Sequence, residues 1–264
     1  MALALLGLGA TATAVGATPT EPSHGAASHI ALKPARPGES LIRSIQWAGR
    51  RWWVYGVNQP GPEGVKLTND QRAVYVDGRG RLHLNIIKIN GKWRSVELRT
   101  VNTVSYGTFR LINDTRTARF SDRTVFGMFV YRPGASKNHG GHEIDIENSR
   151  FPNYLKAPNN AQFAVQPYNK PHHEHAYHVK RSDVPLLQQF IWYPPIKGKG
   201  TVKFLTRVGT TTHSPLLAHW TYHGSSDPTN QNMYIYLTLW LNHGKPPKGG
   251  THSAVLRSLT YTRL

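Results

Sequence analysis

The sequence predicts an all-β fold of two packed antiparallel sheets, a sandwich or jelly roll, and three observations carry that expectation. Apolar and polar residues alternate with a period of two over much of the chain, the spacing at which successive strand side chains point to opposite faces. More than ten such runs are short and are separated by Gly, Pro, Asn and Asp turns. Few segments carry a helical period.

Taken in order, AVYVDGRGRLHLNIIKINGKWRSVELRT (residues 73–100) alternates throughout, and Asn90-Gly91 between two alternating runs marks a type I′ hairpin. Further strands are expected at YGTFRLIN (106–113), TVFGMFVY (124–131), HEIDIENS (142–149) and AQFAVQPY (161–168). The same pattern continues in GTVKFLTRV (200–208), LLAHWTYH (216–223), MYIYLTLWL (233–241) and VLRSLTYTRL (255–264). Upstream, residues 1–17 are an Ala- and Leu-rich apolar segment ending in small residues, the pattern of a secretory signal, so export to the extracellular space or periplasm is expected. Residues 18–40, with Pro19, Pro22, Pro34 and Pro37 among Gly, Ser and Ala, read as a linker. Residues 41–264 show no second break and no internal repeat, which is consistent with one domain. After the opening segment no apolar run is long enough to cross a bilayer.

Charge and composition narrow the function without fixing it. The chain has 264 residues with 32 Lys and Arg against 14 Asp and Glu, a net +18 that attracts polyanions. Nucleic acid, an anionic wall polymer and an acidic polysaccharide all satisfy that field. Cysteine is absent, which excludes disulfides, thiolate catalysis and Cys-ligated zinc. The Lys-rich stretches at Lys197–Lys199 and Lys245–Lys248 are short and dispersed, unlike a nucleic-acid module that clusters bases with stacking aromatics, so no nucleic-acid partner is expected. Gly7-Leu8-Gly9 lacks the preceding strand and third glycine of a dinucleotide site, and no G-x-S-x-G supports a serine hydrolase.

Against this scarcity of acids, Glu143, Asp145 and Glu147 stand at alternate positions, separated by Ile144 and Ile146. On a strand the isoleucines enter a core and the three carboxylates line the other face. Like charges so placed raise one another's pKa. The Cα atoms of the two glutamates lie about 13 Å apart along a strand, and inward-leaning side chains bring their carboxyls to about 5 Å. That separation is the one at which one carboxylate attacks an anomeric carbon while the other protonates the leaving oxygen. Asp145, between them, would keep one glutamate protonated while the other ionises. A solvent-facing acidic strand paired with surplus Arg and Lys fits the same pattern. So does a calcium site, although calcium ligands come more often from loops.

The string Glu143-Ile144-Asp145-Ile146-Glu147 resembles the active-site strand of glycoside hydrolase family 16, and its five-residue form without a bulge is similar to the lichenase and xyloglucan-transglycosylase branch. SVELRTVNTVSYGTFRL, FGMFVYRP, AQFAVQPY and MYIYLTLWLN resemble other family blocks in the same order, so the likeness covers most of residues 41–264. The resemblance implies a concanavalin-like β-jelly roll with a concave substrate cleft, and retaining endo-type hydrolysis of a β-linked polysaccharide without a cofactor. It implies Glu143 as nucleophile, Asp145 as the carboxylate that tunes it, and Glu147 as general acid and base. It implies sugar contacts from Glu97, Arg99, Tyr131, Gln162, Gln166 and Trp240. A catalytically weak carbohydrate-binding protein, a transglycosylase and a basic wall-binding protein remain alternatives.

Independently of the resemblance, Tyr234, Tyr236, Thr238 and Trp240 share one strand face and would offer a stripe to sugar rings. Thr238, Gly141 and Ala164 depart from lichenase residues near the reaction centre and put lichenan as substrate in doubt. SLTYTRL lacks the aspartate that holds a structural calcium in some relatives, and no metal is predicted. The cluster His172, His173, Glu174, His175 and His178 reads as a solvated loop or cleft rim after Pro171, its spacing matching no helical zinc motif. A monomer acting on a polysaccharide, neutral or anionic, is the expected state.

Overall fold

The computed structural model describes residues 41–264 apart from 57, 58, 60, 135–141, 152–154, 181, 182, 227 and 229. The opening segment, the linker and Gly141 therefore lie outside the described residues. The fold is all-β, a jelly roll built on two large antiparallel sheets, and among the described residues there is no α-helix. The first sheet has the order β1 (Leu41–Trp47), β2 (Arg50–Tyr55), β7 (Val96–Thr100), β16 (Tyr234–Leu241), β9 (Thr124–Tyr131), β10 (Glu143–Asn148), β11 (Ala161–Val165) and β12 (Glu174–Tyr177). The second has the order β15 (Leu216–Gly224), β14 (Lys199–Val208), β13 (Leu186–Ile196), β8 (Gly107–Asn113), β17 (Ser253–Arg263), β4 (Leu82–Asn85) and β3 (Val74–Val76). A ribbon of β5 (Ile87–Ile89) and β6 (Lys92–Arg94) turns at Asn90-Gly91, whose φ of 48° and 76° are the left-handed pair of a type I′ turn.

The period of two sorts the first sheet into two faces. Cross-strand partners Leu98, Leu237, Met128, Ile146 and Phe163 form one row pointing inward, and Ile235, Val130, Ile144 and Val165 form the next. All of them are buried in the main core. Phe109, Phe190 and Phe204 of the second sheet meet this layer, Phe204 stacking on Phe163 at 5.1 Å between ring centroids. Burying each of Ile144 and Ile146 contributes about 2–3 kcal/mol, so a one-residue slip of β10 would forfeit both and drive the carboxylates into the core.

Three strands escape a period-two reading. In β2, Trp52 and Val54 enter the core while Tyr55 is buried on the opposite side, so the alternation disappears. β13 places Gln188 inward and Leu187 and Ile191 outward, reversing the expected polarity. The histidine-rich segment read as a loop contains β12, the edge strand beside β11. There His175 turns inward between Phe163 and Trp220, with ring planes 13° and 12° from theirs, while Glu174 faces the other side. The imidazole of His173 packs edge-on to Tyr222, and its Nδ1 lies 2.9 Å from the Val165 carbonyl. These side chains thus diverge to different partners.

The inward Gln188 ties the sheets together. Its Oε1 accepts from Asn113 Nδ2 at 3.0 Å and its Nε2 donates to Asn148 Oδ1 at 3.0 Å, all three residues having no exposed surface. Asn148 ends β10, so the amide chain fixes the carboxylate strand from below. Gln188→Ala leaves two buried amides short of a partner and opens a void. It is expected to cost about 3 kcal/mol, read from the urea midpoint, and a loss below about 1 kcal/mol would show the chain to be dispensable.

Candidate active site

On the face of β10 opposite the core, Glu143, Asp145 and Glu147 point the same way, each flanked by cross-strand neighbours on that face. Tyr131, Phe129 and Gly127 of β9 lie opposite them in that order, and Ala164 and Gln162 of β11 lie opposite Asp145 and Glu147. Beyond β9, the row continues to Tyr234, Tyr236 and Thr238 of β16, and from there to Arg99 and Glu97 of β7. Residues taken from five strands, from Glu97 to Thr238, therefore share one surface.

Two cavities open on it. One, of about 480 Å³, is lined by Glu143, Glu147, Gln162, Gln166, Thr238 and Trp240, together with Phe151, Tyr168 and the loop residues Asn242 and His243. The other, of about 620 Å³, is lined by Glu143, Glu97, Tyr131, Tyr55 and Tyr236, with His142 at its rim. Both share Pro62, Glu63, Phe129 and Glu143, so they form one groove crossed by the turn Pro62–Gly64. That strap was invisible in the sequence. Val65 and Leu67 pack with Tyr55, Tyr236 and Trp240, and Gly61 is required because a Cβ there would sit 2.7 Å from Leu67. At its tip, Glu63 Oε2 accepts the His243 backbone N–H at 2.8 Å and lies 3.2 Å from His243 Nδ1.

Burial sets the electrostatics. Glu147 is pushed up to about 8, first by loss of solvent and then by the charge of Asp145, with Glu63 adding to it, while the Gln162 amide opposes the shift. Gln162 Nε2 donates to Glu147 Oε2 at 2.6 Å. Asp145 is 2% exposed and is raised well above the ordinary carboxylate range, chiefly by burial and then by Glu143, to which it is also hydrogen-bonded. Gln166 Nε2 donates to Asp145 Oδ2 at 3.0 Å. The proton that the neighbouring charges require is therefore held mainly by desolvation, with Asp145 as a secondary cause at Glu147. Glu97 is likewise pushed up to about 8, by burial alone.

The other expected site residues divide. Tyr131, Glu97, Gln162, Gln166 and Trp240 all reach the groove. Arg99 lines neither cavity. It is 6% exposed, its Nε donates to Tyr55 Oη at 3.0 Å and its guanidinium lies 4.2 Å from the Tyr234 ring centroid, so it props the aromatic wall from behind. The aromatic stripe of β16 is also interrupted. Tyr236 is stacked between Tyr55 and Phe129 at 6.3 and 5.0 Å and keeps 3% exposure, and Trp240, which lines the first cavity, keeps only 5%. Glu63 and His243 are lining residues that sequence reasoning missed, since nothing local marks them.

No protein-family model matches the chain, and no curated protein sequence matches it. Solved structures do. A β-glucanase of Bacillus licheniformis is 16% identical and aligns over 76% of this chain and 86% of its own, with a TM-score of 0.52. A β-1,3-1,4-glucanase (lichenase) from a mouse hindgut metagenome is 17% identical over 81% and 93%, TM-score 0.54. A glycoside hydrolase family 16 endo-glucanase from Bacteroides ovatus is 11% identical over 80% and 94%, TM-score 0.54. At these identities the likeness establishes a shared fold.

The raised carboxyls bear on stability. A group whose folded pKa exceeds its unfolded value of 4.5 holds its proton more tightly when folded, so its contribution is full in acid and is lost as pH rises towards about 8. Glu97→Gln, which cannot ionise, is expected to shrink the fall in melting temperature between about pH 5 and pH 9. Parallel declines in parent and variant would refute the buried placement of Glu97.

Proposed function

We propose that this chain is a retaining endo-type glycoside hydrolase that cleaves a neutral β-linked glycan, with Glu143 as nucleophile and Glu147 as general acid and base. One observation carries the reading: Glu143 and Glu147 face one cavity with Asp145 buried between them, and Glu147 holds its proton to about pH 8. In the first step the Glu143 carboxylate forms a bond to the anomeric carbon as the glycosidic oxygen leaves with the proton of Glu147. In the second, water attacks the same carbon, gives a proton to Glu147 and frees Glu143. Asp145, hydrogen-bonded to Glu143 and to Gln166, orients the nucleophile.

The lining supports a neutral substrate. Among the described residues neither cavity presents a Lys or Arg, while Glu63, Glu97, Glu143 and Glu147 all do line them. A chain of uronates or sulfated sugars would meet the ionised Glu143 there and no compensating base. Phe151, Tyr168 and Trp240 supply apolar lining for a sugar ring, and Gln162, Gln166 and Asn242 offer hydrogen bonds to its hydroxyls. The glucanases among the solved neighbours support a β-glucan as that glycan. The apolar opening segment supports action outside the cytoplasm.

Glu143→Gln is expected to lose more than about a thousandfold in turnover on a panel of soluble β-glucans while retaining its fold. Turnover equal to the parent would remove Glu143 from the nucleophile's role. Because Glu147 acts in its protonated form, activity should fall as pH rises through about 8. In Glu147→Gln this alkaline limb should vanish from the residual rate, and a limb left in place would assign the acid elsewhere.

A further inference from the structure

The groove leaves the chain's main compositional feature, its charge of +18, without a use. The second sheet supplies one. Its strands β8, β13, β14, β15 and β17 contain no Asp or Glu, whereas β7, β10 and β12 of the first sheet together hold five. The strand acids are thus gathered on the first sheet, and these strands of the second carry bases without acids.

On the second sheet's outward face, cross-strand register aligns Thr221, Lys203, Ile191, Thr108 and Thr262 in one row. His219, Leu205, Gln189, Arg110 and Thr260 form the next. Arg207 follows in the row beyond, and Lys199 lies at the hairpin end. Lys203 and Arg110 stand two strands apart, roughly 10 Å across the sheet. Neither Arg110 nor Arg207 spends its charge on a carboxylate: Arg110 Nε donates to Gln189 Oε1 at 2.8 Å and Arg207 donates to the Ser214 carbonyl at 2.7 Å. The acids at the sheet's margins are already engaged, Asp114 with Arg257 at 3.0 Å and Asp77 with Arg81 at 2.7 Å.

We propose that this outward face binds an anionic polysaccharide, a carboxylated polymer that holds the protein on a matrix while the groove on the opposite layer works on a neutral glycan. Separated cations match the regularly spaced carboxylates of such a polymer, and the threonine rows supply hydroxyl partners for sugar hydroxyls between them. Nucleic acid fits the face less well. Trp220 and Tyr222 of β15 turn inward, Tyr193 on the outer face of β13 carries Lys203 at 5.4 Å from its ring centroid, and the exposed Tyr75 lies on β3 at the far edge with His83 stacked on it, so aromatics and these bases are not interleaved.

The face is argued from its own residues, and only the neutrality of the opposite groove rests on the proposed function. The test measures binding of the full chain to sodium polygalacturonate by affinity electrophoresis across a salt series, beside a duplex DNA at the same concentration of anionic groups. The parent should bind polygalacturonate with steep salt dependence. The triple variant Arg110→Gln, Lys199→Gln, Lys203→Gln should lose about tenfold or more in affinity at low salt, with a salt slope smaller by roughly one per removed contact. Its melting temperature and its turnover of soluble laminarin should match the parent's. Unchanged polygalacturonate binding in the variant would overturn the proposal, as would DNA bound more tightly through the same three residues. Glu147→Gln separates the two readings: it should abolish hydrolysis and leave polygalacturonate binding intact. A parent inactive on every neutral glucan would sink the hydrolase while leaving this face standing.

Discussion

Three carboxyls on alternate residues of a buried strand face can coexist only if protons stay among them, and the structure around β10 is organised by that requirement. Successive members of the row sit about 7 Å apart by strand geometry, close enough for each charge to resist its neighbour's ionisation. The isoleucines between them, both buried, prevent the strand from escaping by rotation or slippage. Relief has to come from partners instead. Gln166 donates to Asp145 and Gln162 to Glu147, which stabilises the ionised forms, while desolvation beneath the strap works against both. Desolvation wins at Glu147. A single neutral donor is worth about 1 kcal/mol, less than the cost of stripping water from a carboxylate.

The net charge of the chain pulls the other way, since an excess of bases favours ionised acids. It does not prevail in the groove. The strand bases sit mostly on the far layer and on β1 and β2 at the edge, and Arg99, the base on the groove face, is turned to Tyr55 and Tyr234. Local burial therefore sets the groove's protonation, and the distant bases set how the whole molecule meets a polyanion. A second sheet whose main strands carry bases without acids lets both hold at once.

What the sequence made legible follows from the same geometry. Period two exposes a strand when one face is apolar and the other polar, as in β10 and β14, and the row of three acids was readable because it falls on such a strand. It fails where both faces are covered, as in β2, or where a polar residue belongs inside, as with Gln188 of β13 and the histidines around β12. Arg99 shows a different limit. Its place on the groove face of β7 was predictable, but its engagement with Tyr55, 44 positions away, and with Tyr234 depends on tertiary neighbours that no local pattern encodes. The strap is the extreme case: Glu63 meets His243 across 180 residues, and each holds a left-handed φ, 51° and 54°, that neither residue type signals.

Space, as well as charge, fits the row for contact with a bulky ligand. Gly127 lies directly across from Glu147, and Ala164 from Asp145, so the positions beside two of the three acids are occupied by the smallest side chains. A Cβ on Gly127 would already stand 3.2 Å from the Thr238 methyl, and anything longer would fill the volume in front of Glu147. Gln162 complements this opening. Its Oε1 is buried with no hydrogen-bond partner while its Nε2 serves the carboxylate, so a half-turn of the amide would let it accept the proton of neutral Glu147 instead. One side chain can thus hold Glu147 in either protonation state without moving it, and a group that must give up a proton and take it back at one site needs that property more than a fixed charge.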